Sequence, residues 1–156
     1  MLKGFFNRDT KKIDMESELE SMSPTAAYAA IALLTVMADY GFTAKDRMPE
    51  KYVRSTSFMA MLFALVDFIQ AYWNKADEQK TKKYAEVIYF LFRKNAPLAL
   101  ETLSSGLDND VTSAFHKIGK EVQARLEKYR HSETGLPDID DMYTEFVFFL
   151  EYIDHK

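Results

Sequence analysis

Apolar residues recur along this chain at helical spacing, and between Phe58 and Trp73 they crowd almost every side of the helix that the spacing predicts. A helix apolar on nearly all sides has to be buried, so FMAMLFALVDFIQAYW is the segment around which the other helices must pack. On its wheel Ser57, Ala60, Ala64, Asp67, Ala71 and Asn74 form one narrow stripe, while Met61, Leu62, Leu65, Phe68, Ile69, Tyr72 and Trp73 fill much of the rest. The small stripe admits a closely packed neighbour. Asp67 lies in its middle as the only charge between Arg54 and Lys75.

The flanking segments read as further helices. Ser23 as N-cap and Pro24 at the first helical position open one that runs to Gly41, and alanines at 26, 27, 29, 30 and 32 make it thin. It is therefore the expected partner for the small stripe. Residues 43–54 form a connection, and Ser55, Thr56 or Ser57 can cap the central helix. A third helix is expected from about Asp77 to Lys94, halted near Pro97, followed by a short one through Leu98, Leu103 and Leu107 broken at Gly106. Asp108 or Asn109 can cap a fifth, reaching Arg130, whose buried stripe is Val111, Phe115, Ile118, Val122, Leu126 and Tyr129. Its other side, with Thr112, His116, Gly119, Lys120 and Gln123, is expected to be solvated. The last helix spans Asp138 to Asp154 and opens with acids that suit its positive end. Residues 1–22 read as a loosely ordered segment in which Met15, Leu19 and Met22, spaced i, i+4, i+7, allow a short docked helix. No period-two alternation persists, so the expectation is an all-α, compact single-domain bundle of five to six helices over residues 23–156.

Composition narrows this picture. At 156 residues the chain is one ordinary domain, with 47% hydrophobic and 28% charged residues, five glycines and four prolines. No cysteine is present, which removes disulfides and thiol chemistry and fits a reducing compartment, the cytoplasm being the simplest. The apolar run Ala26 to Ala38 is 13 residues long, and the central one of 16 is interrupted by Asp67 and Gln70. A bilayer span needs about 20, so both read as core. The N-terminus lacks the apolar run of a signal peptide, and Met1, Leu2, Phe5 and Phe6 as a membrane anchor is the lesser reading.

No chemistry-bearing motif assembles from the sequence. No carboxylate stands three residues before His116, His131 or His155, which excludes the Glu-x-x-His pattern of di-iron bundles, and the HExxH zinc signature does not occur. Asp138, Asp140 and Asp141 resemble the start of a calcium loop, but position twelve is Phe149 and the glycine at position six is missing. Glycine-rich phosphate loops and GxSxG do not occur. No cofactor, metal or catalytic residue is therefore assigned. An apolar pocket near Asp67 and Gln70, serving a small-molecule binder or an unrecognised enzyme, is the alternative function.

The leading function is a non-catalytic protein-interaction module, of adaptor, chaperone-like or toxin-neutralising type, that binds a partner protein or itself. The net charge of −4 opposes general nucleic-acid affinity, although basic and aromatic residues mix between Tyr72 and Lys94. The sum hides an asymmetry: residues 51–100 carry eight basic and four acidic side chains, and 101–156 carry six and twelve. Two faces hold aromatics off the buried stripes. On the third helix Tyr89 and Phe90 are expected to project beside Lys82 and Arg93. On the last, Phe148 and Tyr152 are expected to project beside Asp141 and Glu145. Aromatic residues with arginine are what interface centres enrich. Coverage of these faces within the monomer, by each other or by residues 1–22, is the competing reading.

Overall fold

The structure is a computed structural model that describes residues 11–43, 45, 47–72, 80–110, 113–128 and 138–154; of these, the side chains of 11–14, 72, 80–82 and 152–154 are not described. The described residues form seven α-helices and no strand. They are α1 (Lys11–Ser21), α2 (Pro24–Met37), α3 (Thr56–Tyr72), α4 (Lys80–Phe92), α5 (Ala96–Leu107), α6 (Ala114–Glu127) and α7 (Ile139–Asp154). Six of them make the expected all-α bundle, and α1 is the docked N-terminal helix. None is long and apolar enough to cross a membrane.

Two helices are central. α3 buries Phe58, Met59, Ala60, Met61, Leu62, Ala64, Leu65, Val66, Phe68 and Ile69, and lies against α2, α4, α5 and α6. α2 is nearly as deeply buried and touches α1, α3, α4 and α7. Its start follows the expected chemistry. Ser23 caps it, its hydroxyl oxygen accepting from the Ala26 N–H at 3.4 Å, with Pro24 in the first turn. Glu86 of α4 completes the cap by accepting from the Ser23 N–H and Oγ at 3.3 and 2.8 Å. A carboxylate from a neighbouring helix thus supplies what the third-position glutamate of a capping box usually supplies. At the other end a 3-10 turn, Ala38–Tyr40, leads to Gly41 in the left-handed region at φ 104°, the stop expected there.

One expected contact, that of the small stripe with α2, is replaced. The small stripe of α3 meets α6, its most extensive neighbour: a Cβ on Gly119 would lie 3.9 Å from the Ala60 carbonyl oxygen and 4.0 Å from the Ala64 Cβ. Gln123, one turn on, donates to the Ala64 carbonyl and to Asp67 at 3.3 Å each. The side of α6 expected to face water is therefore its close-packing side. Glycine there lets two backbones approach and Gln123 bonds across them, which a wheel counting only apolar residues does not register. His116 is half-buried, with Nε2 3.1 Å from the Asn109 carbonyl oxygen. Gly106 stands one residue before the end of α5 at Leu107, close to the expected stop, and packs against Phe115.

Boundaries also shift. α6 begins at Ala114 after Ser113, not at Asn109. α4 ends at Phe92, two residues before the expected Lys94, because Arg93 adopts a left-handed backbone. The expected start near Asp77, and Val111, Thr112, Tyr129, Trp73 and Asn74, lie outside the described residues.

Candidate functional site

The C-terminus of α4 leaves carbonyls with no helical partner. The loop before α3 supplies two donors. Met48 N–H donates to the Leu91 carbonyl at 3.1 Å, and Arg47 Nη1 donates to the Phe90 carbonyl at 3.0 Å. A guanidinium here also meets the negative end of the helix. Arg47 is only 4% exposed, yet its charge is matched: Nη2 pairs with Glu18 of α1 at 2.9 Å, and the guanidinium lies 5.0 Å from the Phe90 ring centroid. Arg93 pairs with the same Glu18 oxygen from the exposed side. Arg47 and Arg93, at φ 61° and 52°, are the non-glycine residues with left-handed backbone among those described. Each such residue costs roughly 1–2 kcal/mol. The bundle sustains that strain at the two positions whose side chains grip α1.

Beside this grip runs a groove of about 440 Å³ between α1 and α4, lined by Glu18, Ser21, Met22, Glu86, Tyr89, Phe90, Arg93 and Lys94. Tyr89 is 51% exposed at its mouth, and Arg93 and Lys94 are exposed beside it. The expectation for Phe90 is corrected. At 2% exposure it is buried, sealed beneath Arg47. Helix α1 buries Met15 and Leu19 in the core, and its Glu18 pairs with the Arg47 that lies over Phe90. The wheel placed Phe90 off the α4 stripe, but it could not show an arginine arriving from 43 residues away. The Lys82 side chain lies outside the described residues.

On α7, Phe148 is 49% exposed, and Arg125 of α6 lies 4.4 Å from its ring centroid. Arg125 in turn pairs with Glu145 at 3.1 Å and Glu121 at 3.7 Å, which buries Glu145. Exposed Glu151 and half-buried Asp141 flank the same face. The Tyr152 side chain lies outside the described residues.

Around Asp67 the structure shows a polar knot. The half-buried carboxylate accepts from Tyr84 Oη at 3.5 Å and Gln123 Nε2 at 3.3 Å, and Phe63 stacks on Tyr84 at 4.7 Å between centroids. Burial first, then the Asp67 charge and hydrogen bond, push the Tyr84 hydroxyl well above its usual value. Asp67 is thus bonded to a hydroxyl on a neighbouring helix, as a structural acid would be. Gln70, one turn on, is 3% exposed, and neither its amide nitrogen nor its oxygen has a hydrogen-bond partner. Among the described residues no group of three or more His, Asp or Glu side chains is placed to hold a metal.

Compared with protein-family models, with curated proteins and with solved structures, the chain matches none.

Proposed function

We propose that this chain is a non-catalytic helical interaction module that binds a partner protein or a second copy of itself through the groove between α1 and α4. Tyr89 and Arg93 would be its principal contacts, with Lys82 and buried Phe90 supporting them. The observation that carries the reading is Tyr89, half exposed at the mouth of a concavity, next to two cations and above an arginine cluster held in strained backbone. An aromatic ring beside arginine is the composition of interface centres. Phe148, with Tyr152 on the same helix, would supply a second contact face, acidic through Asp141 and Glu151. A net charge of −4 supports a protein rather than nucleic acid as partner, and the lack of cysteine supports a cytoplasmic address. Adaptor, chaperone-like and toxin-neutralising roles all fit such a module.

The test is a photo-crosslinking residue placed at Tyr89 and, as control, at exposed Lys128, in the cell from which the chain comes. The reading expects an adduct from position 89 alone, lost when Arg93→Ala is added. Equal adducts from both positions, or none, would refute it.

A second reading, a small-molecule binder or unrecognised enzyme with an apolar pocket near Asp67 and Gln70, is favoured by the unpartnered Gln70 amide, which a polar group on a ligand would bond. A buried amide without a partner is costly unless something bonds it.

A further inference from the structure

We infer that α1 rests on a seat built for an acidic amphipathic helix, and that such a helix from a partner protein displaces it. The inference goes beyond the groove: the seat is the surface beneath α1, and a helix bound there removes the groove's own wall.

The bundle forms the seat without help from α1. Arg47 Nη1 donates to the Phe90 carbonyl, the guanidinium lies over the Phe90 ring, and the Arg47 N–H donates to the Thr43 carbonyl at 2.9 Å. These contacts aim Nη2 at the Glu18 carboxylate, 2.9 Å away, and Arg93 reaches the same oxygen from the exposed side. A buried cation stripped of its counter-charge is costly, so whatever covers Arg47 has to bring a carboxylate. The apolar requirement is equally specific. Met15 and Leu19 enter the core, and Met22 packs against its edge. An acid with large apolar residues three before it, one after and four after, all on one helix face, is therefore the pattern this seat accepts.

The hold on α1 is slight for its length. Of the side chains described on α1, Met15 and Leu19 are the buried ones, whereas α2 is buried along most of its length. Docking orders 11 residues, each at a cost in backbone entropy. A partner helix already folded in its own protein does not bear that cost, and so competes with a tethered rival. Occupants of seat and groove exclude one another, because the first expels α1 and the second retains it.

The probe is a fluorescent peptide of residues 11–22, its binding to the full chain read by anisotropy. The parent should bind it weakly, since its own α1 competes at an effective concentration on the order of 1 mM. Glu18→Ala in the chain loosens that competitor and should tighten binding about tenfold, and a peptide carrying Glu18→Gln should lose a similar factor. Saturating the variant with peptide, made with heavy isotopes so that its fragments separate by mass, should speed deuterium uptake over the chain's own residues 15–21. No tightening in the variant, or undiminished binding of the Glu18→Gln peptide, overturns the inference. Slowed uptake overturns it too, and places the peptide in the groove with α1 closed. If circular dichroism shows Glu18→Ala unfolded, Leu19→Ala replaces it, and unfolding of both overturns the inference because α1 then cannot leave. Parent dimers formed by the same exchange, seen in sedimentation velocity, would make α1 of a second copy the occupant and overturn the assignment to a separate partner.

Discussion

The ring of Phe115 lies against Gly106 so closely that a Cβ built on the glycine would fall 2.3 Å from Cδ2 and 2.5 Å from Cε2. Phe115 is itself buried, with Phe63 6.1 Å away, so the ring has little room to withdraw. Alanine is ordinarily better than glycine in a helix by about 1 kcal/mol. Here overpacking should win, and Gly106→Ala should cost about 1–3 kcal/mol. Adding Phe115→Leu should recover part of that loss, a coupling that thermal melts of the two single variants and the double variant would measure. A Gly106→Ala chain that melts at or above the parent would show that the ring does not depend on the glycine.

Gly119 makes the opposite case. The contacts its Cβ would make, at 3.9 and 4.0 Å, are ordinary ones, so Gly119→Ala should raise stability by about 0.5–1 kcal/mol through helix propensity. Ala64→Leu, across the same helix pair, should lower it by about 1–3 kcal/mol. Urea titrations of both variants would test the α3–α6 contact from either side. If Ala64→Leu left the midpoint unchanged, the small stripe would not be an interface.

Adjacent aromatics on α4 should behave differently. Tyr89→Ala is expected to shift stability by no more than about 0.5 kcal/mol, since half the side chain is in water. Phe90→Ala should cost about 3–5 kcal/mol, because it empties a buried site and strips the ring from Arg47. Equilibrium unfolding separates them. Similar losses at both positions would mean that Tyr89 is core and not surface.

Gln70→Leu keeps most of the volume while removing both unpartnered polar atoms. A structural site should then gain about 1–3 kcal/mol, seen as a higher melting temperature. A loss would indicate that the amide is held by a bound molecule, in favour of the ligand reading.

Tyr84 sets an alkaline limit. Burial, followed by the Asp67 charge and hydrogen bond, raises its hydroxyl above the ordinary 10.0, so the folded chain holds this proton more tightly than the unfolded chain does. That stabilisation is complete below pH 10 and is lost as pH rises from there through the folded value. Melting temperatures followed between about pH 8 and 11 should fall steeply at the upper end. Tyr84→Phe should lower the plateau by about 1 kcal/mol and flatten the alkaline fall. Parallel alkaline curves for both proteins would remove the effect from Tyr84.

Periodicity made the helices legible because burial is paid out in whole faces: Phe115, Ile118, Val122 and Leu126 are all buried as their spacing implies, and Ser23, Pro24 and Gly41 mark ends by local backbone chemistry. What stayed hidden depends on partners distant in sequence. Gly106 resembles only a helix stop until Phe115 folds over it, and Gly119 resembles a weak point on a wet face until α3 closes on it. The site divides in the same way. Tyr89 and Phe148 were readable as aromatics off a stripe, whereas Phe90 is buried beneath a loop arginine, itself paired with α1, that no wheel of α4 contains. The left-handed backbone of Arg47 and Arg93 left no compositional signal at all.

Helix α1 has 11 residues, a length at which an isolated helix is marginal in water, and Met15, Leu19 and the Glu18 pairs hold it to the bundle. Its amides should therefore exchange with solvent through local opening, far faster than those of α3, which wait for global unfolding. Since α1 forms one wall of the groove, every such opening dismantles the groove as well. Whatever fills the groove must hold the wall closed, so slowed deuterium uptake over residues 15–21 would report occupancy even before the occupant is known.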